Sequence, residues 1–532
     1  MEKQRAIEQY LRLVNRQSIS ETEGEITFGD FLYQEIQNIG YFNEHPGDVL
    51  KVPVKRSKGI GSNVFALMKC EPPTDETIIL LSHYDTVGIE DYGGLEDVAF
   101  DPIELTRRLK ENPSRLNIEA KMDLDSGEYL FGRGSADMKW GLSAGIEALR
   151  HFEEHPDELK TNLLLVSTPD EEVNSRGMLA AVNELLALQD SGLKFIACLV
   201  SEPDIASDRI ENEFRIHTGC AGKCLPCIVV KGKETHVGEP FFGFNPNLIV
   251  ANVVRRMEWN PAFSDVLGEN STPTPVCLKQ ADLKSSYTVQ TPIVSYAYFN
   301  VMTLTSSLLD VMDRFIHEVT SSCDEALIQF HERHKQAEQR SMKKINAIIP
   351  EIVVLPYPEL AKQLQEMNVT LKADEGILDV RERAIDLVKR SIEAFSSDDI
   401  LVVPFFAPPY YPHRTENANQ PRIVGSTKKF IDLVASQTKF TVDPVYQGLS
   451  DMSYLGLEGD MDPKQLSEWF PGFGSLYALP LDELSRLNIP FLNLGPHGKD
   501  AHKVSERIDK KYSFDKALPY FILMIMILGE AI

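Results

Sequence analysis

"TIILLSHYDTV", residues 77–87, decides the fold class because an apolar run passes directly into titratable side chains. Side chains two apart on a strand share a face, so His83 and Asp85 point the same way at the end of a buried strand. In open α/β sheets, ligands bind at the carboxyl ends of the strands. A carboxylate beside an imidazole can orient the ring toward a metal. The stretch therefore indicates an α/β protein with a site at its strand ends, although a purely structural His–Asp contact would look the same.

Other apolar runs along the chain resemble the first one and alternate with amphipathic segments. This alternation predicts an α/β sheet with helices on its faces. The runs are "NLLLVST" (162–168), "FIACLVS" (195–201) and "IPFLNLGP" (489–496).

The middle of the chain follows a different pattern. Residues 286–304 alternate like a half-buried strand, and residues 306–345 have the character of a long, highly charged helix. We therefore expect an inserted α+β domain over 214–418. The first part of the domain that holds the main sheet would then span 1–213, and its second part 419–532.

Composition excludes several classes of partner. The chain has 532 residues, and its 54 Lys and Arg against 79 Asp and Glu give a net charge of −25. Such a charge repels nucleic acid and anionic membrane surfaces, so we expect neither as a partner. The apolar C-terminal stretch 517–528 is shorter than the roughly 20 residues that span a bilayer, which predicts a buried helix or strand.

The termini and cysteines bear on the cellular compartment. Residues 1–17 have the spacing of an amphipathic helix and lack the apolar core of a signal peptide. Seven cysteines, an odd number in a long chain, do not suggest a disulfide framework. We therefore expect a cytoplasmic protein.

Candidate ligands recur after the predicted strands. Each has an ordinary alternative, since a lone Asp before a helix is commonly an N-cap and adjacent carboxylates are commonly solvent-exposed. Together, two histidines with several carboxylates suit zinc, manganese or cobalt. The candidates are Asp137 in "FGRGSADMKWG", Glu171 and Glu172 in "TPDEEVNSRG", Glu202 in "SEPD", and His497 and His502 in "GPHGKDAHK".

The order of these motifs resembles the M20 family of dinuclear zinc peptidases and deacylases, which includes carboxypeptidase G2, succinyl-diaminopimelate desuccinylase and aminoacylase. Among its members the chain looks most like the large arginine-utilization RocB-type proteins, which carry an extended insert. The resemblance implies an α/β fold, in which a zinc-peptidase-like catalytic domain has a mixed central sheet flanked by helices and carries an inserted α+β lid or dimerisation domain. It also implies two zinc ions, or manganese or cobalt, and hydrolysis of an amide bond.

The resemblance also assigns metal ligands. It implies that His83 and Glu202 hold one metal and that Glu172 and His502 hold the other, with Asp137 as the bridge. Whether His497 could replace His502 stays open at this point.

Further residues receive roles by the same resemblance. Asp85 would orient His83, and Glu171 would be the general base that takes a proton from the attacking water and passes it to the leaving amine. His236 would help to hold the carbonyl oxygen as it becomes negative, unless it is simply an exposed turn histidine. Because this histidine comes from the partner subunit in dimeric members, we expect a homodimer through the lid. Asp451 is a further pocket candidate.

Some positions depart from the family pattern. Ser82 and Trp140 stand where members usually have glycine, and we expect them to reshape the surroundings of the metals. The segment "YFNVMTL" (298–304) lacks the Asp-x-Arg whose arginine binds a substrate carboxylate in many members. This absence weakens any prediction that the substrate is a free C-terminal amino acid.

A cysteine-rich segment needs a separate explanation. Cys220, Cys224 and Cys227 have the spacing of the iron-sulfur loop of radical SAM enzymes, and His217 could complete a zinc site. Nothing nearby resembles a SAM-binding barrel, so we expect structural cysteines.

The sequence thus favours a hydrolase acting on an N-acyl amino acid or a short peptide, with a substrate related to arginine, ornithine or citrulline. Two other hypotheses stay open. A dinuclear phosphoesterase could use similar ligands, although no basic cluster lies near the motifs. A non-catalytic metabolite sensor would not need Glu171.

Overall fold

The computed structural model describes residues 2–55, 59–204, 213–348, 351–377, 379–459 and 462–530. The chain forms two compact units. Unit 1 consists of Met1–Cys220, Arg414–Leu457 and Pro480–Ile532, and unit 2 of Ala221–His413 and Glu458–Leu479. The domain bounds expected from the sequence stay a prediction, and they did not anticipate that residues 458–479 lie with unit 2.

The strands alternate with helices along unit 1, as the apolar runs predict. In chain order the strands are β1 (Val49–Lys55), β2 (Ile60–Met68), β3 (Glu76–His83), β4 (Tyr129–Phe131), β5 (Asn162–Thr168), β6 (Lys194–Val200), β7 (Glu213–His217), β8 (Gly222–Lys231), β9 (Val266–Leu267), β10 (Asn270–Ser271), β11 (Val276–Asp282), β12 (Val294–Thr303), β13 (Ile352–Val354), β14 (Ile400–Tyr411), β15 (Lys439–Asp443), β16 (Phe491–Asn493), β17 (Gly498–Lys499) and β18 (Arg507–Asp509).

The helices include those predicted near both termini and in the insert. In chain order they are α1 (Glu2–Val14), α2 (Glu23–Gln37), α3 (Gly40–Glu44), α4 (Pro102–Glu111), α5 (Ile118–Ser126), α6 (Lys139–Glu154), α7 (Arg176–Asp190), α8 (Pro246–Met257), α9 (Leu308–Ser341), α10 (Tyr357–Glu366), α11 (Val380–Phe395), α12 (Pro421–Val434), α13 (Pro463–Glu468), α14 (Leu481–Leu487), α15 (Lys510–Tyr512) and α16 (Leu518–Leu528).

The main sheet of unit 1 is mixed, which confirms the predicted fold class. Its described strands run in the order β1-β2-β5-β3-β6-β16-β7-β15. The strands β5, β3, β6 and β16 are parallel neighbours, whereas β1 and β2 add antiparallel pairing at one side. β3 is buried almost throughout, as expected for a parallel strand covered on both faces. The carboxyl ends of β5, β3 and β6 therefore lie at the same edge.

The apolar C-terminal stretch is buried, as predicted, and of the two predicted alternatives it forms a helix. α16 packs in a core of unit 1, where Phe521 meets the ring of Trp140 edge-on at 6.5 Å. Trp140 is thus a fully buried core side chain at the start of α6. Among the described residues, no helix combines the length and the apolar character that crossing a bilayer requires.

Unit 2 is built around a five-stranded sheet in the order β11-β12-β8-β14-β13. On one face, Phe299 of β12 contacts Phe315 of α9 with ring centroids 5.8 Å apart. The other face carries a core that includes Cys227 and Phe405, covered by side chains of α10 and α11. Because helices cover both faces, β12 is largely buried. The prediction of a half-buried strand over 286–304 was wrong, and the strand begins only at Val294.

Candidate active site

Polar side chains follow three neighbouring parallel strands at the points where those strands end. His83 is the last residue of β3, and Asp85 lies two residues beyond it. Glu171 and Glu172 follow β5, and Glu202 follows β6. Since the carboxyl ends of parallel strands meet at one edge of the sheet, this topology collects the acidic groups around the imidazole.

Two groups of side chains could each hold a metal ion. In each group one ligand atom per residue lies within 4.8 Å of the others, and Asp137 belongs to both. One imidazole and two carboxylates per group make a donor set that fits divalent cations such as zinc or manganese. The first group is His83, Asp137 and Glu202, and the second is Asp137, Glu172 and His502.

The ring of His83 is held between two aspartates. Its Nε2 lies 3.1 Å from Asp137 Oδ1, and its Nδ1 lies 3.1 Å from the backbone oxygen of Asp85 and 3.5 Å from the Asp85 carboxylate. Burial alone would lower the pKa of His83. The hydrogen bonds to both aspartates and the charges of Glu171 and Glu202 raise that pKa well above its usual value.

Asp85 connects the loops that follow β3 and β5. Its fully buried carboxylate accepts hydrogen bonds from the backbone N–H groups of Glu171 at 3.1 Å and Glu172 at 3.3 Å. Ser20 donates a third, 2.6 Å long, from its hydroxyl. Asp85 thus fixes His83 and the backbone of the acidic pair together. The contribution of Ser20 was not anticipated from the sequence.

Glu171 is a buried carboxyl group beside the first imidazole. Its Oε2 lies 4.0 Å from His83 Nε2. Burial raises the pKa of Glu171 well above its usual value, and the neighbouring carboxylates of Glu202 and Glu172 raise it further against the opposing effect of His83. A carboxyl group with a raised pKa is suited to accepting and returning a proton near neutral pH.

Glu202 and Asp451 are anchored by neighbouring side chains. Ser450 donates a hydrogen bond of 2.9 Å to Glu202 Oε1, and burial raises the pKa of Glu202 to about 8. Asp451 is buried and accepts a hydrogen bond of 2.7 Å from Thr168 at the end of β5. Asp451 therefore supports the strand end, and its role as a pocket residue stays a prediction.

The structure distinguishes the two C-terminal histidines. His502 Nε2 lies 3.2 Å from Asp137 Oδ2 and 3.0 Å from Glu172 Oε2, and these two contacts raise the pKa of His502 to about 11. His497 instead faces Asp509, with 3.7 Å between its Nδ1 and the carboxylate. Of these two histidines, only His502 belongs to a group of possible metal ligands among the described residues.

The loop that carries Asp137 is fixed by a buried ion pair that sequence reasoning missed. Arg133 Nη1 donates to Glu506 Oε2 at 2.8 Å, and both side chains are almost fully buried. Glu506 Oε1 accepts from the backbone N–H groups of Ala136 at 3.1 Å and Asp137 at 3.4 Å. The arginine in "GRG" is a visible signal, but no local pattern links it to a partner 373 positions away.

His236 lies in unit 2. Its side chain is exposed, and its Nδ1 accepts a hydrogen bond of 3.0 Å from the backbone N–H of Gly238. It forms an isolated β-bridge with Gln290. Its role at the carbonyl oxygen stays a prediction.

The cysteine-rich segment shows no sign of a metal cluster. Cys224 and Cys227 lie three residues apart on β8, so their side chains point to opposite faces of the sheet. The thiol of Cys227 belongs to the apolar core beneath α10 and α11. None of the seven cysteines forms a disulfide, and none belongs to a group that could hold a metal within the described part of the chain.

Comparison with known proteins finds a family model and two relatives that each match most of the chain. The model of peptidase family M20/M25/M40 matches residues 79–466. The chain is 34% identical over 520 residues to the uncharacterized protein YqjN of Bacillus subtilis, covering 94% of this chain and 92% of that protein. It is 32% identical over 531 residues to the protein RocB of the same organism, covering 96% and 92%.

A solved structure shows the same fold. The crystal structure of the aminopeptidase PepT from Bacillus cereus superposes with a TM-score of 0.54, covering 99% of each chain at 14% sequence identity.

We expect zinc binding to release protons from this site. Contacts with the surrounding carboxylates raise the pKa of both His83 and His502 and so favour the protonated imidazoles, whereas a ligating imidazole must be neutral. Zinc affinity should therefore fall as the pH is lowered, by about tenfold per pH unit for each proton displaced.

Calorimetric titration of the metal-free protein in buffers of different ionisation enthalpy measures the proton count. His502→Ala should release fewer protons, whereas His497→Ala should match the wild type. Equal proton release by the wild type and His502→Ala would contradict the ligand assignment.

Proposed function

Because the chain belongs to peptidase family M20/M25/M40, we propose that this M20-type metallohydrolase uses two metal ions to cleave an amide bond in a short peptide or an N-acyl amino acid. One observation carries the proposal. Two metal-ligand groups share Asp137, and the carboxyl group of Glu171 lies beside them.

The metal ions are proposed to be zinc, with manganese or cobalt as alternatives. His83, Asp137 and Glu202 would hold one ion, and Asp137, Glu172 and His502 the other. When bound, such ions polarise a carbonyl group and lower the pKa of the attacking water.

Glu171 is proposed to move the proton. Its backbone N–H is tied to Asp85, so the side chain starts from a fixed point. The carboxylate would take a proton from the attacking water and return it to the nitrogen of the leaving amine. Asp85 acts as a positioning residue, because it contacts the ring of His83 and the backbone of Glu171.

The proposed substrate is an N-acyl derivative or short peptide of arginine, ornithine or citrulline. Support comes from the likeness to the arginine-utilization RocB-type proteins, with 32% identity to RocB over nearly the whole chain. The net charge of −25 is compatible with a cationic substrate. We propose that the protein is cytoplasmic, and the absence of a disulfide between any of its seven cysteines supports this.

We expect activity to depend on both metals and on Glu171. Metal-free protein titrated with zinc, manganese or cobalt should recover hydrolysis of such amides near two metal equivalents. Glu171→Gln should keep the metals and lower kcat by about 10²- to 10⁴-fold, because the proton acceptor is lost.

Glu158→Gln, a change of an exposed carboxylate, is the matched control. Normal turnover by Glu171→Gln would refute the mechanism. Cleavage of a phosphate ester with no cleavage of any amide would favour the phosphoesterase.

We also propose a homodimer formed through unit 2. Its edge strand β11 pairs only with β12 among the described residues, and the side chain of Leu278 on it is 51% exposed. Tyr287, in the segment that follows, is 91% exposed. The backbone of an exposed edge strand is a template for pairing with a second chain. His236 lies in the same unit, and in the dimer it would act at the partner's site as an oxyanion donor.

We expect sedimentation analysis to show a dimer. Leu278→Lys should shift the equilibrium toward the monomer, because a charge on the edge strand opposes pairing. Leu433→Lys, an equally exposed position on α12, should leave the dimer intact. A wild-type monomer at all concentrations would refute the dimer.

A further inference from the structure

We propose that Glu506 and Arg507 are positioning residues that determine how tightly the site binds metal ions, each by holding a different loop. Glu506 would act on both metals, whereas Arg507 would act only on the metal held by His502. This inference rests on the proposed function, since it assumes that the two groups bind cations.

Glu506 immediately precedes β18 and Arg507 is the first residue of that strand, and their side chains contact different loops. Glu506 is directed toward the loop of Asp137. Its carboxylate accepts hydrogen bonds from the backbone N–H groups of Ala136 and Asp137 and forms an ion pair with Arg133. Because Asp137 belongs to both ligand groups, any shift of this loop would reach both metals.

Arg507 holds the loop that presents His502. Its Nη1 donates to Asp500 Oδ2 at 2.6 Å and to the backbone oxygen of Ser505 at 3.0 Å, while its Nε donates to Asp123 Oδ2 at 2.7 Å. The guanidinium is fully buried. It therefore ties both ends of the segment 500–505 to α5, which carries Asp123.

This segment needs such a tie. Asp500 and His502 have φ values of +56° and +68°, in the left-handed region that favours glycine. The side chain of His502 is 50% exposed, so packing alone does not fix it. Its contacts are the carboxylates of Asp137 and Glu172, which are themselves the other ligands of its group. The ion pair between the buried Arg507 and the partly buried Asp500 is thus the anchor that holds the imidazole in register with them.

The two residues should have different effects on zinc binding. Zinc affinity is measured on the metal-free, full-length protein by competition with a chromophoric chelator. Arg507→Lys keeps the charge but loses the fork of donors, and Asp500→Asn alters the same pair from the other side.

Each of these variants should weaken one of the two zinc ions by about 10- to 100-fold and leave the other within about threefold. Glu506→Gln should weaken both ions. Because Arg507 and Asp500 act as one unit, the double variant should be little worse than either single variant.

Arg150→Lys is the control, because it alters an ion pair with Glu147 on α6 that touches neither loop. Circular dichroism verifies folding, and Asp500→Asn retains the Arg507–Asp123 contact if Arg507→Lys fails to fold. Two unchanged zinc affinities in Arg507→Lys or Asp500→Asn, or equal weakening of both ions, would overturn the inference. A wild-type protein that binds no zinc would instead refute the proposed function on which the inference rests.

Discussion

Buried negative charge is the constraint on which the rest of the site depends. The carboxyl groups of Asp137, Glu171, Glu172 and Glu202 lie together beside two imidazoles. Burying several carboxylates is unfavourable unless cations compensate them. Without a metal, protonated histidines supply part of that compensation. Burial also raises the pKa of the three glutamates, Glu171, Glu172 and Glu202. Divalent cations would replace those protons. The same cluster of charges would then both attract metals and contain a carboxyl group able to carry a proton.

The fold brings these charges together through topology. Three parallel strands end at one edge, and short loops carry the acidic groups from there. The surrounding polar residues then act on backbone more than on side chains. Asp85 holds the N–H groups of the acidic pair, Glu506 holds those of the Asp137 loop, and Arg507 holds the turn before His502. Buried hydrogen bonds thereby hold the backbone of the loops that carry the candidate ligands.

The parts of the site that follow a strand directly could be predicted from the sequence. His83 and Glu202 stand immediately after apolar runs, so a local pattern marks them. Ser20 and Glu506 could not be found, because their partners are distant in sequence and no local spacing indicates a hydrogen bond to another loop. Arg507 pairs with the nearby Asp500, but its contact with Asp123 of α5 is equally distant. The same limit explains β12. Its alternation suggested one solvent-facing side, but helices from other parts of the insert cover both faces.

The most direct test of the central claim is X-ray diffraction from zinc-loaded crystals, recorded on both sides of the zinc absorption edge. We predict two anomalous peaks that mark two zinc ions. One ion should be bound by His83 and Glu202, the other by Glu172 and His502, and both should contact Asp137. A single peak, or a peak bound by His497 in place of His502, would contradict the account.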